Sequence, residues 1–391
     1  MGQPARSAEI VIVGGGVMGA SIAYHLALRG IGGVLLLERG AIGSGPTRHS
    51  TAIVRMHYSQ ALLVQMALHG LRTYSAFQEA VGARCGFVRT GLLVGAGEAD
   101  RRAIEQNVAL GQSLGVATEL LAPEDVSTLD PRIDPDGLGA LCFEAEAGCC
   151  DPYLATGGFA AAARRAGARV HDSVDVLSVA PGSVETGAGA ISTGAVIVAA
   201  GPWSPRLLAP LGYDLPLVAA RAEVGRWRLP TEFDSSLPSL ADFSELQFYF
   251  RPAEPGFLEV GSLDPRHAAR PVDPDHSPEG AEEETLDGFR SALARRLPGA
   301  EHGHWRGAWS GVYDVTPDWH PAIGPVPGAE GVYVAAGFSG HGFKLAPAVG
   351  LAMAELVADG RASTFDLGLL APDRFERGAL VGTTYGYSVL G

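Results

Sequence analysis

Three glycines, Gly14, Gly16 and Gly19, fit the spacing G-x-G-x-x-G inside "EIVIVGGGVMGASIAYHLALRG". In such a turn the first glycine reverses the chain and the second lets the backbone approach a pyrophosphate. The third lets the following helix lie close to the strand, with its unpaired N–H groups facing the phosphates. Glu38 stands 24 positions after Gly14 at the end of a second apolar run, where a carboxylate accepts hydrogen bonds from ribose hydroxyls. The chemistry is dinucleotide binding. A second signal is a count. Of 29 lysines and arginines one is lysine, Lys344, within "GFSGHGFKLAP". Arginine replaces lysine readily at solvated positions, but a bulky guanidinium does not replace a compact ammonium where space is tight. Lys344 is therefore expected in a confined site; an ordinary surface lysine is the competing reading.

The elements that must position these groups follow from periodicity. "EIVIV" reads as a buried strand, "ASIAYHLALRG" as a helix and "GVLLLERG" as a second strand, which together make a βαβ unit. Helical spacing continues in "ALLVQMALHGLRTYSAFQEA" and near residues 98–115, followed by a polar stretch at 122–137. "DPYLATGGFAAAARRAGARVH" repeats helix into strand, and "GAVIVAAGPWSPRLL" runs from strand into a glycine turn. From about 216 to 310 the texture changes, and "AEVGRWRL", "LQFYFRP" and "GFLEVGSL" read as successive antiparallel strands. The acidic, proline-rich "DPRHAARPVDPDHSPEGAEEE" reads as a solvated loop leading to a helix at 281–296. "GVYVAAGFSGHGFKLAPAVGLAMAELVADG" restores strand, glycine turn and helix. The expected fold is α/β: a Rossmann-type dinucleotide-binding domain from residues 1–85, 150–215 and 312–391. A mainly antiparallel β domain, from 86–149 and 216–311, is inserted between its pieces.

Composition removes several classes. A net charge of −14 argues against nucleic acid and against an anionic membrane surface as partners. Cys85, Cys142, Cys149 and Cys150 have no metal-binding spacing, so no metal is expected, and free thiols in a reducing compartment are the reading. No basic leader with a cleavage site and no uncharged apolar run of membrane-spanning length is visible, so the expected location is the cytoplasm.

The stretch after Glu38, "RGAIGSGPTRHSTAIVR", resembles the flavin-contacting segment of the D-amino-acid oxidase superfamily, in particular its sarcosine oxidase branch. The similarity extends through "DPYLATGGFAAAARRAGARV", "VIVAAGPWSPRL", "GVYDVTPDWHPAIGPVP" and "VYVAAGFSGHGFKLAP", and is weakest in the inserted β region. It implies a GR2-like module binding FAD in extended form, with the isoalloxazine at the domain interface. The implied chemistry is oxidation of C–N bonds of amines and amino acids to imines, which then hydrolyse. The first turn would contribute Gly14, Gly16, Val17, Met18 and Gly19. The segment after the second strand would contribute Glu38, Arg39, Ser44, Thr47, Arg48, His49, Ser50 and Thr51. Val174, Gly201, Trp203 and Gly311 would follow, with Gly337, Ser339, Gly340, His341, Gly342, Phe343 and Lys344 closing the flavin site.

The same resemblance places Lys344 and Arg55 on the substrate carboxylate. A carboxylate held by two cations orients its α-carbon toward the flavin, and desolvated contacts of this kind are worth roughly 2–5 kcal/mol each by truncation. A structural salt bridge is the plainer role for Arg55. Gly337, Gly340 and Gly342 would let backbone donors approach the flavin where negative charge grows on reduction. Tyr313 and Tyr249 match pocket-lining tyrosines, with core packing as the alternative; His341 would tune the flavin or serve as a structural histidine. Three departures stand out. Gly311 occupies the position of the cysteine through which monomeric sarcosine oxidases attach flavin, leaving His49 as the position for any covalent link. The oxygen-activating lysine falls near Glu259, whose charge would disfavour a superoxide-like intermediate. A pocket histidine is replaced by Leu263. The electron acceptor is accordingly oxygen, a quinone or an electron-transfer protein. Two other readings stay open: a 2-hydroxy acid dehydrogenase using a base such as His341, and the flavin-bearing subunit of a hetero-oligomeric amine dehydrogenase. Homo- or hetero-oligomers are both compatible with the sequence.

Overall fold

Val11, Ile12 and Val13 are buried because the strand Ser7–Val13 has a neighbour on each side, in a sheet whose two faces are both covered. The computed structural model describes residues 6–233, 236–268 and 270–385. Ser7–Val13 runs parallel to Val34–Leu37 on one side and to Gly189–Val198 on the other, with Val13 opposite Leu37 and Val198. Arg169–His171 extends the parallel run beyond Val34–Leu37, and Val332–Ala336 extends it beyond Gly189–Val198. A hairpin, Val176–Ala180 with Ser183–Thr186, pairs antiparallel with the first half of Gly189–Val198, and Ala322–Pro325 pairs antiparallel with Val332–Ala336. The helices Pro152–Arg165 and Ala346–Asp359 pack against the helix Val17–Leu28, which is buried on all sides from Val17 to Ala27. A helix so placed needs no polar face, which is why "VMGASIAYHLAL" is apolar nearly throughout.

The second sheet runs in the order His304–Val315, Val218–Arg228, Phe257–Ser262, Phe248–Pro252, Ser239–Phe243, Leu92–Ala96, Ala140–Glu144, Thr118–Leu121. Its neighbours are antiparallel except Ser239–Phe243 with Leu92–Ala96, which are parallel. Alternation assigns the faces. Leu93, Leu240, Phe248, Phe250 and Leu258 pack under the helix Glu283–Arg296, while Leu92, Val94, Phe243 and Tyr249 belong to a separate cluster that includes Ile104 and Val108 of the helix Arg101–Ser113. A small third sheet joins Ile53–Val54, Gly148–Cys149 and Val88–Arg89. The helix expected over "ALLVQMALHGLRTYSAFQEA" is split into Ala61–Ser75 and Phe77–Val81. All four cysteines are free and buried, with the sulfurs of Cys85 and Cys150 4.0 Å apart. Among the described residues no helix is long and apolar enough to cross a membrane, and no group of metal-ligating side chains is present.

Candidate active site

A cavity of about 1040 Å³ opens where the parallel strands end, with Val13, Leu37 and Ala199 at its floor. Ligands of doubly wound sheets bind at the carboxyl ends of strands, and this volume is at or above the roughly 300–1,000 Å³ of drug-sized pockets, room enough for a dinucleotide. Gly14 has φ +109°, and a Cβ there would run into the Ala199 carbonyl, so only glycine fits. Gly16 is the N-cap of Val17–Leu28 and offers no side-chain cap; instead the Val17 N–H donates to Thr47 Oγ1 at 3.2 Å. The Glu38 carboxylate accepts the N–H of Gly15 at 2.6 Å and that of Gly40 at 2.7 Å, tying the turn to the next loop. Each oxygen keeps a lone pair for a ribose hydroxyl.

The cavity wall also includes Met18, Arg39, Ser44, Arg48, His49, Ser50, Thr51, Val174, Gly201 and Trp203, together with Gly311, Gly340, Gly342 and Phe343. Gly19 is not on the wall: its missing side chain lets the Gly14 carbonyl pack directly against the helix. At the far end stand Tyr249 and Tyr313, both with phenol pKa values pushed up by burial. Gly340 has φ +85°, and a Cβ there would stand 2.6 Å from the Tyr313 ring. A Cβ on Gly311 would lie 2.9 Å from the Cβ of His49, so a larger residue at 311 and the present His49 position exclude each other. His49 Nε2 accepts from Arg48 Nε at 2.9 Å; burial and the Arg48 charge hold its pKa below the usual value.

Arg55, Gly337, Ser339, His341 and Lys344 do not line this cavity. They are buried in the layer that includes the backbone neighbours Gly340, Gly342 and Phe343, which do. The Gly337 N–H is spent on Asp314 Oδ2 at 2.7 Å, so it is not a donor toward a ligand. The Ser339 N–H donates to the Asp314 carbonyl at 3.1 Å. Burial pushes Asp314 up to about 6 against the pull of these N–H groups. Lys344 is 5% exposed and Arg55 9%. Lys344 Nζ donates to the His341 carbonyl at 3.2 Å and lies 5.9 Å from the Tyr58 ring centroid; the Arg55 guanidinium lies 4.5 Å from the same centroid and donates to the His57 carbonyl. Burial, then Arg55, holds the Lys344 pKa well below the ordinary lysine value, with Glu144 opposing. His341 is held well below its usual value by burial, then by Lys344 and Arg55.

Two groups of residues escaped the sequence reading. Glu144 is buried beside the cations, and its Oε2 accepts the Met56 N–H at 2.8 Å. The second group lies in the loop expected over 264–284, which is exposed to solvent along most of 271–280 as expected but also borders the site. Pro274, Asp275, Ser277 and Pro278 line the nucleotide cavity. Asp275 Oδ1 accepts from Arg39 Nη1 at 2.9 Å and Trp203 Nε1 at 2.7 Å, and its carboxylate pairs with Arg206, which also reaches Asp273 at 2.8 Å. The Arg39 guanidinium stacks 3.9 Å over the Trp203 ring. An acidic strap therefore crosses the cavity because three basic or N–H donors face it. Glu259, in turn, is not a bare charge near the pocket: Arg251 pairs with it at 2.7 Å and also donates to Cys149 Sγ at 3.3 Å. Leu263 packs against the cluster containing Tyr249.

Residues 9–356 match the family described as DAO, FAD dependent oxidoreductase. The chain is 31% identical over 380 residues to 4-methylaminobutanoate oxidase (formaldehyde-forming) of Paenarthrobacter nicotinovorans, covering 94% of this chain and 45% of that protein. It is 27% identical over 376 residues to glycine oxidase of Geobacillus kaustophilus, covering 92% and 95%. The crystal structure of L-proline dehydrogenase from P. horikoshii superposes with a TM-score of 0.87 at 27% identity, covering 97% of this chain and all of that one. The chain spans less than half the length of several curated relatives it matches. A glycine turn cradling a dinucleotide-sized cavity and a family match across most of the length lead to one conclusion: the chain belongs to the DAO family of FAD-dependent oxidoreductases.

Proposed function

We propose that the chain oxidises the C–N bond of a small amine or α-amino acid bearing a carboxylate, in the manner of sarcosine, to an imine that hydrolyses. The observation that carries this reading is the burial of two cations, Arg55 and Lys344, together beneath the Gly340–Phe343 loop. Buried cations favour nearby anions, and a substrate carboxylate is one that both can reach. FAD, when bound, supplies the acceptor for the two electrons of the oxidation. Gly14, Gly16 and the start of Val17–Leu28 would hold its pyrophosphate and Glu38 its ribose. With Gly311 in place of an attachment cysteine, FAD is held non-covalently, and acid precipitation should release the colour from the protein.

Along the cavity wall at Tyr249 and Tyr313, and in the buried layer behind it, each side chain has a separate task. Arg55 and Lys344 grip the carboxylate and so aim the α-carbon. Tyr249 and Tyr313 stay protonated because burial raises both phenols, so they serve as walls and as donors or acceptors toward the amine. His341 stays neutral and adds no competing positive charge. Residues 1–85, 150–215 and 312–391 form the FAD module, and 86–149 with 216–311 the substrate module. No lysine other than Lys344 exists to activate oxygen, which favours a quinone or an electron-transfer protein as acceptor over oxygen. Four free, buried thiols support a reducing, cytoplasmic setting.

The test is anaerobic bleaching of the bound flavin against amines, amino acids and 2-hydroxy acids. Bleaching by carboxylated amines, and slower bleaching by their decarboxylated analogues, is expected. Bleaching by 2-hydroxy acids alone, or by none of the three classes, overturns the reading.

A further inference from the structure

The turn from Gly337 to Gly340 is strained backbone. Gly337, Ser339 and Gly340 have φ of +78°, +50° and +85°, and Ser339 carries a side chain that this left-handed region disfavours. Such a turn persists only where its surroundings hold it. Three hydrogen bonds do so, all from one short stretch of chain. Asp314 Oδ2 accepts the Gly337 N–H at 2.7 Å, the Asp314 carbonyl accepts the Ser339 N–H at 3.1 Å, and the Thr316 N–H donates to Ser339 Oγ at 3.3 Å. These bonds join the two large sheets. Asp314 lies opposite Ala219 in the pairing of His304–Val315 with Val218–Arg228, whereas Gly337 follows Val332–Ala336 of the first sheet. Asp314 is 9% exposed and lines the nucleotide cavity together with Tyr313, Phe338, Gly340 and Gly342. The bonds also sort the backbone donors of the turn. Those of Gly337 and Ser339 are used, while those of Gly340 and Gly342 meet no acceptor among the described residues. Gly342 is buried, and a buried N–H without an acceptor is costly, so a ligand acceptor in the cavity would complete the turn.

We propose that Asp314 is a positioning residue for the flavin: its carboxylate clamps the turn from Gly337 to Gly340 to the strand carrying Tyr313, and so presents the Gly340 and Gly342 N–H groups to the cofactor. It acts through the turn and does not touch the reacting atoms. The seat of the turn is close, since a Cβ on Gly340 would stand 2.6 Å from the Tyr313 ring. A turn released from Asp314 would shift against that wall. Backbone donors fixed in advance favour the reduced flavin, where negative charge grows, more than the oxidised one. Loss of the clamp therefore loosens the cofactor and lowers its reduction potential together.

The test compares the FAD-loaded variants Asp314→Asn and Asp314→Ala. Both lack the carboxylate charge, but only asparagine keeps an oxygen that accepts the Gly337 N–H, so the difference between them reads the clamp. FAD release is followed as recovery of flavin fluorescence after dilution, and the two-electron reduction potential by equilibration with a reference dye. Asp314→Ala should release FAD about tenfold faster than Asp314→Asn, the size expected for one hydrogen bond to a buried donor, and should have the more negative potential. Equal release rates and equal potentials in the two folded variants overturn the proposal. So does a lower melting temperature of Asp314→Ala as the sole difference, because an aspartate that only stabilises the fold leaves the bound flavin unchanged. Should Asp314→Ala not fold, Ser339→Ala removes the link to Thr316 alone. It should release FAD about threefold faster than the wild type at a more negative potential, and unchanged release and potential overturn the proposal. No amine enters these measurements, so their outcome is independent of which substrate the enzyme oxidises.

Discussion

The nucleotide cavity and the buried ion cluster behind its wall are built by opposite means. Around the nucleotide, recognition comes from backbone: Gly14 and Gly16 withdraw side chains, Val17 begins a helix, and charged groups such as Arg39 and Asp275 meet near the surface. The ion cluster is built from side chains carried into the interior, with Arg55, Glu144 and Lys344 each 9% exposed or less. The difference teaches where each half is fragile. A backbone cradle fails sterically and all at once, whereas a cluster of buried charges fails electrostatically and in proportion to the charge removed.

The largest effect should come from Gly14→Val. Its Cβ would meet the Ala199 carbonyl from a backbone at φ +109°, and the purified protein should lack flavin absorbance altogether. A yellow Gly14→Val protein would show that the cradle tolerates a side chain and would break the contrast at its first term. Lys344→Met ranks second. It should retain FAD, because Lys344 is not on the cavity wall, yet raise KM for carboxylated amines by about 100-fold, within the range for losing one desolvated charge contact. Loss of the flavin instead, with unchanged KM in the remaining holoenzyme, would place Lys344 on the cofactor side of the comparison.

Legibility in the sequence divides along the same line. A backbone cradle leaves a local mark, because the turn, the helix and the strand ending at Glu38 are contiguous, and their spacing announces the βαβ unit. Lys344 was legible for a different reason: an arginine-rich chain makes its one ammonium conspicuous. Glu144 left no such trace. It closes "ALCFE", an ordinary strand, and its partner Met56 lies 88 positions away, brought near by the pairing of Ile53–Val54 with Gly148–Cys149. Composition told half the story: "PVDPDHSPEG" is polar and exposed to solvent, yet its acids meet Arg39, Trp203 and Arg206 from three distant segments. Position along the chain holds no information about which donors will face a loop.

Glu144 also gives a stability test of the buried half. Burial pushes its carboxyl from an ordinary 4.5 up to about 7, despite the Met56 N–H and the two cations. A carboxyl raised in the folded state stabilises fully below the unfolded value, and that contribution is lost as pH climbs from about 4.5 to about 7. Glu144→Gln lacks this loss. Its stability should therefore gain on the wild type across that window, by on the order of 3 kcal/mol at most. Thermal melts of both holoenzymes between pH 5 and 8 read the gap directly. A gap that stays constant with pH would mean that Glu144 is ionised throughout.

The smallest effect belongs to the strap, where the charges are exposed and individually weak. Asp275 joins Arg39, Trp203 and Arg206 across the mouth of the nucleotide cavity, and the strap is held at its ends by Val272 N–H on the Ala219 carbonyl and by Ser310 N–H on the Glu279 carbonyl. Exposed ion pairs contribute little each and fade with salt. Asp275→Ala should therefore leave KM unchanged and speed FAD release about two- to tenfold, followed as recovery of flavin fluorescence after dilution. Raising the salt from about 0.05 M to about 0.5 M should speed release from the wild type more than from the variant, because the screened pairs are those the variant already lacks. If both proteins respond alike, the salt acts on the pyrophosphate contacts, and retention of the cofactor belongs to the backbone cradle alone.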